Sequence, residues 1–296
     1  MQLPRTEFST AASIGPQTDA GSVPALTVIR SRSGWSALNL RDLWRYRDLL
    51  LLWSTRDIRV RYKQTILGAG WAILQPLAMM VVFSIFFGRL MNVTDQVTPA
   101  YPVFVYAGLL PWLLFANSVT AASNSLVNNA QVLSKVYFPR LIMPIGSVGA
   151  PVVDFCVSFV VLLGLMLWYG LPFTWQLPAL LPMLVVSVLI TALGIGILMS
   201  ALTVTYRDFR HVVPFMVHVW FFVTPVIYPV RIIPEQYQWL IHLNPMAGTI
   251  SAFRAAVLAE PIDTTPWLIS SGIGLVLLAI ALRCFLRMER RFADVV

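Results

Sequence analysis

Few residues in this chain are placed to do covalent chemistry. Its two lysines are Lys63, in Tyr-Lys-Gln, and Lys135, in Ser-Lys-Val. A phosphate-binding loop for ATP hydrolysis ends in Gly-Lys-Ser/Thr, because backbone N–H groups and that lysine hold the phosphates. Neither lysine fits. All nine aspartates stand alone, so no Asp-x-Asp pair can grip a divalent ion between substrate phosphates. His211, His218 and His242 lack the i, i+4 spacing with a glutamate that a zinc-binding helix uses. Gly-x-Ser-x-Gly, the signature of a nucleophile elbow, is also missing. The expectation is a chain with no catalytic residue, no metal and no cofactor of its own. Cys156 and Cys284 lie in apolar runs without C-x-x-C and read as small buried hydrophobes.

Three other groups can act without making or breaking bonds. The first is basic: Arg56, Arg59, Arg61 and Lys63, with Arg207 and Arg210 further along. Arginine suits charge-assisted contact with phosphate. The second is aromatic: Phe83, Phe86 and Phe87, then Trp112 and Phe115, then Trp220, Phe221 and Phe222. These rings read either as core packing and a lipid-interface belt or as a wall on which sugar rings slide. The third is Asp154, the one acid well inside an apolar run. An ionisable group there is a functional candidate. It serves equally as a hydrogen bond to a neighbouring helix or as a group beside a wet cavity.

The elements that must carry these groups are membrane helices. Of 296 residues, 58% are hydrophobic and 11% charged, with mean hydropathy +0.75. A soluble domain carries about 25% charge. A soluble enzyme, a disordered chain, a disulfide scaffold and a nucleic-acid module are all excluded. A spanning helix needs about 20 mostly apolar residues, and six stretches qualify: 71–91, 102–122, 141–169, 177–204, 212–230 and 266–286. Lysine and arginine test the count, since they accumulate on the cytoplasmic side. Eighteen fall on one side of a six-span map and three on the other, which predicts both termini in the cytoplasm.

The remaining segments divide around that 71–288 transmembrane domain. Residues 1–39 are polar and lack a signal-peptide core, so they read as a disordered or extended segment, and the first span is expected to be retained. Residues 40–67 form a basic amphipathic helix lying in the membrane interface. Its predicted apolar stripe is Leu40, Leu43, Trp44, Leu51, Ile58 and Tyr62, with Arg41, Arg45, Arg56, Arg59 and Lys63 beside it. That basic stripe can anchor on anionic lipid, dock a partner or attract a phosphorylated substrate. Residues 234–260 are apolar but broken at Pro234, Asn244-Pro245 and Gly248. Their two pieces are too short to cross, so they read as a re-entrant helical hairpin on the outer side, where irregular backbone must be covered by protein or a wet cavity. Residues 289–296 read as a cytoplasmic tail.

Four segments, taken together, resemble the permease subunit of polysaccharide-exporting ABC transporters of the ABC-2 type, the exporters of O-antigen, capsule and teichoic acid. They are TRDIRVRYKQTILGAGWAILQPL at 55–77, SKVYFPRLIMP at 134–144, YRDFRHVVPFMVHVWFFVTPVIYP at 206–229 and NPMAGTISAFR at 244–254. The resemblance covers residue 40 to the C-terminus. It implies an all-α fold of six spans in the bacterial inner membrane, a coupling helix near 128–139 and outer gate helices. It implies a homodimer working with two copies of an ATP-binding subunit, which would hold ATP and magnesium. By position, Arg56, Asp57, Arg59, Lys135, Tyr137, Phe138 and Arg140 would couple to that ATPase. Arg59, Arg61, Lys63, Arg207 and Arg210 would meet the lipid diphosphate, and Tyr237, Trp239, Asn244, Pro245 and Arg254 would form the outer gate. The expected cargo is an undecaprenyl-diphosphate-linked polysaccharide, O-antigen above all. Two alternatives stand beside it: a same-fold permease for a small lipid or drug, and a membrane-embedded sugar or acyl transferase.

Overall fold

The computed structural model describes residues 44–63, 70–90, 101–133, 135 and 138–289. The expected N-terminal segment, the start and end of the amphipathic helix (Leu40, Arg41 and Leu43 among them), Tyr137 and residues 290–296 of the tail lie outside them. The described residues form helices joined by turns. These are α1 (Arg47–Lys63), α2 (Gly70–Phe83), α3 (Tyr101–Asn128), α4 (Ala130–Leu133), α5 (Ile142–Gly146), α6 (Gly149–Trp168), α7 (Gln176–Thr205), α8 (Phe209–Val223), α9 (Glu235–His242), α10 (Ala247–Leu258) and α11 (Thr264–Glu289).

Among the described residues, five helical stretches are long and apolar enough to cross a bilayer. They are Gly70–Gly88, Tyr101–Asn128, Ile142–Trp168, Gln176–Thr205 and Thr264–Glu289. The fifth expected span is shorter than its composition suggested. Helix α8 has 15 residues, roughly 22 Å at ~1.5 Å per residue, against a hydrocarbon core of ~30 Å. Pro225 causes the stop: a residue before proline is pushed out of the helical region, and Thr224 is extended at φ −91°, ψ 135°.

Helix α3 is the centre of the bundle. Most of its residues are buried, from Tyr101 to Leu126, whereas α2 leaves all but Pro76 and Met80 at least partly open. Helices α7 and α11 approach closely because small residues meet at their crossing. A Cβ on Gly194 would lie 2.8 Å from the backbone nitrogen of Leu278. Without water to drive association, such backbone approach and interhelical hydroxyl bonds hold membrane helices together. Ser187 and Ser271 hydroxyls, 2.6 Å apart, supply one.

The amphipathic helix packs on the bundle by a second apolar face, beside the stripe read from the sequence. Trp53 is the buried residue of α1, and Tyr46, Leu49 and Leu50 join it against the bundle. These positions recur at helical spacing. Trp44 and Leu51, on the expected stripe, are 70% and 59% exposed. The helix therefore has two apolar faces, one covered by protein and one open. Cys156 is exposed rather than buried.

Candidate functional site

Helix α1 lies across the end of the bundle where α3 finishes, and it is tied there by side chains. Ser54 Oγ donates to the Gly146 carbonyl at 2.9 Å. Arg56 Nη2 donates to Asn129 Oδ1 at 3.0 Å, across the turn between α3 and α4. The same guanidinium bonds Asp57 Oδ1 at 2.8 Å and sits 3.8 Å above the Trp53 ring, a cation–π contact. On the other side of that turn, Arg210 Nη2 donates to Asn128 Oδ1 at 2.9 Å. Arg140 Nη1 donates to the Glu289 carbonyl at 3.0 Å, joining the start of the third span to the end of α11. Adjacent asparagines thus receive arginines from α1 and α8. No motif marked Asn128 and Asn129, and only their position at the end of a long apolar helix hinted at a junction.

The remaining basic candidates divide by exposure. Arg59, Lys63, Lys135 and Arg207 are exposed at this end, while Phe138 is buried beneath it. Arg61 and Tyr62 turn towards the bundle and meet Asp154 of α6. Arg61 Nη1 lies 2.8 Å from Asp154 Oδ2, and Tyr62 donates its hydroxyl to Asp154 Oδ1 at 2.5 Å. Burial and this hydrogen bond push the Tyr62 phenol up, so it stays a donor. Asp154 thus bonds a neighbouring helix, α1, and it also borders a cavity.

The aromatic candidates come together between α2, α3 and α8. Phe83 meets Phe221 at 5.6 Å between ring centroids and Phe87 at 6.1 Å. Trp112 meets Phe221 at 5.7 Å, and Phe115 meets Trp220 edge-on at 5.4 Å. These separations suit paired rings. Their burial differs sharply. Trp112, Phe115 and Phe221 are closed inside the chain, whereas Phe86 and Phe222 are 59% and 64% exposed. The first three pack helices and present no surface here. Phe86 faces outward from the π-helical stretch Ser84–Leu90 that follows α2, and Phe222 from α8.

At the opposite end, the break after α8 is held by the hairpin α9–α10. Asn244 organises it. Its Oδ1 accepts the Met246 amide at 3.0 Å and the Trp220 indole at 3.3 Å, and its Nδ2 donates to Thr224 Oγ1 at 2.9 Å. Arg254 of α10 is 5% exposed. Its Nη2 donates to the carbonyls of Val226 at 2.7 Å and Pro225 at 3.1 Å, and its guanidinium lies 3.7 Å over the Phe104 ring. These carbonyl and ring contacts compensate its buried charge. Tyr101 adds a 2.8 Å bond to the Ile227 carbonyl. The backbone groups freed by the Thr224–Pro225 break are therefore satisfied by side chains, as membrane depth requires. Pro245 is buried beside Asn244, while Tyr237 and Trp239 of α9 are 52% and 59% exposed. The five expected gate residues thus separate into a buried anchor on α10 and its turn, and an open face on α9.

Known proteins share this sequence pattern. The family model described as ABC-2 type transporter matches residues 49–258. The chain is 31% identical over 258 residues to the O-antigen export system permease protein RfbA of Myxococcus xanthus, covering 86% of this chain and 98% of that one. It is 30% identical to a protein of the same name from Klebsiella pneumoniae, covering 84% and 95%. The polysialic acid transport protein KpsM of Escherichia coli is 28% identical over 76% of this chain and 84% of its own length.

Proposed function

The chain belongs to the ABC-2 type transporter family, and we propose that it is the membrane subunit of an ATP-driven exporter of lipid-linked polysaccharide of the O-antigen type. One observation carries this reading: about a third of positions agree with an O-antigen export permease along 98% of that protein's length. The protein is an integral inner-membrane transporter component, with ATP hydrolysed by a separate ATP-binding subunit.

The finer reading assigns each end a task. Two copies assemble with two ATP-binding subunits, both termini are cytoplasmic, and the α1 end faces the cytoplasm. The stretch from α8 through Thr224–Tyr228 completes a sixth crossing, with the α9–α10 hairpin as its outer cap. The open cations Arg59, Lys63 and Arg207 attract the lipid diphosphate, aided by Arg61 and Arg210. Bidentate contacts from arginine favour such groups. Arg56, Asp57, Lys135, Tyr137, Phe138 and Arg140 carry motion from the ATPase. Arg56 supports that role best, because its bond to Asn129 joins α1 to the turn between α3 and α4. The polymer slides between copies along Phe86 and Phe222, with Phe83, Phe87 and Trp220 partly open behind them.

The test is reconstitution. The chain, purified with its ATPase subunit in vesicles, is expected to move undecaprenyl-diphosphate-linked O-antigen only when ATP is hydrolysed. ATP-dependent movement of a small lipid or drug, with no polymer moved, would replace this reading by another. Turnover of a lipid-linked sugar without the ATPase would make the chain a transferase.

A further inference from the structure

A cavity of about 240 Å³ lies between α2, α3 and α6, under the C-terminal end of α1. Each of the three helices turns one face to it. Trp71 and Gln75 come from α2, Asn117 from α3, and Asp154 from α6, with Arg61 and Tyr62 closing it from α1. Trp71 and Gln75 are four apart and so share a helix face.

Three features define what fits. First, among the described residues neither the Gln75 nor the Asn117 amide has a hydrogen-bond partner. Gln75 is exposed and Asn117 half-buried, so both amides stand open to the cavity and offer donors and acceptors to a polar occupant. Second, its charges already cancel. Arg61 and Asp154 are paired at 2.8 Å, Tyr62 donates to the same carboxylate, and no lysine lines the wall. A phosphate would have to compete with Asp154 for Arg61, whereas a neutral hydroxyl-bearing ring would leave the pair intact. Third, Trp71 adds a half-exposed aromatic surface, and amides beside an aromatic ring match the two sides of a sugar, hydroxyl edge and apolar face.

We propose that this cavity binds one neutral sugar ring, with Gln75 and Asn117 bonding its hydroxyls and Trp71 covering its apolar face. It thereby selects which polymer enters the exporter. The proposal rests on the export reading and adds a specificity-determining site to it; of the cations assigned to the diphosphate, Arg61, held by Asp154, lines the cavity, while Arg59, Lys63, Arg207 and Arg210 do not.

The experiment uses the full-length protein with its ATPase subunit in lipid nanodiscs. It is titrated with N-acetylglucosamine, galactose, mannose and rhamnose, and separately with inorganic phosphate. Tryptophan fluorescence reports binding in the wild type and in Trp71→Phe; calorimetry reports it in Gln75→Leu and Asn117→Leu. Both leucine variants are more apolar at membrane depth, and single-peak elution checks their fold. At least one neutral sugar is expected to saturate, with the fluorescence change lost in Trp71→Phe. Affinity should fall roughly tenfold in each leucine variant, the effect of a buried hydrogen bond left unmade. Phosphate should not compete. The proposal is overturned if no sugar saturates, if phosphate displaces the sugar, or if both leucine variants bind as the wild type does. Export separates the two readings. Wild-type export matched by both leucine variants across polymers overturns the cavity's role and leaves the exporter standing. Absence of wild-type export overturns the exporter and the cavity's role with it.

Discussion

Arg254 shows what a buried cation does in this protein. Its Nη2 bonds two carbonyls at the Pro225 break and its plane covers Phe104, so removing it leaves acceptors without donors in an apolar setting. Arg254→Met is expected to cost about 3–5 kcal/mol, the range for breaking a buried charged contact, read as a lowered thermal midpoint in detergent. A neighbouring glycine answers to the same geometry. A Cβ on Gly108 would lie 2.6 Å from Arg254 Nη2 and 2.4 Å from the Val226 carbonyl, so Gly108→Ala should destabilise in the same assay. Asp154 behaves differently, because its Arg61 partner is 46% exposed. Asp154→Asn keeps an acceptor for Tyr62 and should cost only about 0–1 kcal/mol. Asp154→Leu strands the Tyr62 hydroxyl and should cost about 1–3 kcal/mol.

Whole elements follow from a few such ties. Among the described residues, the Arg56–Asn129 bond joins α1 to the α3–α4 turn, supported by stacking on Trp53. Arg56→Ala and Asn129→Ala are each expected to uncouple ATP hydrolysis from export, with folded yield unchanged. The double variant should be no worse than the more severe single one, because residues acting through one bond are not additive. An additive loss in the ATPase-to-export ratio would show separate roles. The hairpin divides in a similar way. Helix α10 is clamped against α11 at Gly248, where a Cβ would fall on the Pro266 carbonyl at 2.0 Å. Gly248→Ala should therefore destabilise by at least the ~1–3 kcal/mol of overpacking. Tyr237→Ala and Trp239→Ala on the open face of α9 should leave stability within about 0.5 kcal/mol of wild type. If α9 is the moving part of the gate, those two variants change export alone.

For the whole molecule, the outward surface of α8 is the informative one. Phe215, Val219 and Phe222 are 69%, 49% and 64% exposed at i, i+4 and i+7, a helical stripe open to lipid or to a second copy. With Cys156 and Cys284 replaced by serine, Phe215→Cys is expected to cross-link two copies with a short bifunctional reagent. Val160→Cys, equally open on α6, should not. Cross-linking at Val160 alone would put the dimer contact elsewhere. The channel proposal is decided by a contrast of the same kind. Phe222→Ala should slow polymer export without lowering the melting midpoint, whereas Phe115→Ala should cost about 3–5 kcal/mol of stability as a buried aromatic.

What the sequence determined by itself was the solvent and the family. An 11% charged chain with apolar runs of bilayer length has few other places to fold, and the four motif segments, read together, identified the transporter class. Helix breaks were legible where proline or Asn-Pro imposes them through local sterics, as at Pro234 and Asn244-Pro245. Yet Thr224–Pro225 obeyed the same rule inside a run that still read as a full span, because hydropathy counts composition and ignores backbone continuity. Pairings between distant residues were not legible. Arg56 with Asn129, Asp154 with Arg61 and Tyr62, and Arg254 with the Val226 carbonyl each join elements far apart in the chain. Periodicity records which face of a helix is apolar, and α1 has two such faces. Which one meets protein was decided only when Trp53 and Ser54 found Gly146. The same holds for the aromatics: the sequence supplied the rings, and packing of α2, α3 and α8 decided which were closed inside and which were left exposed.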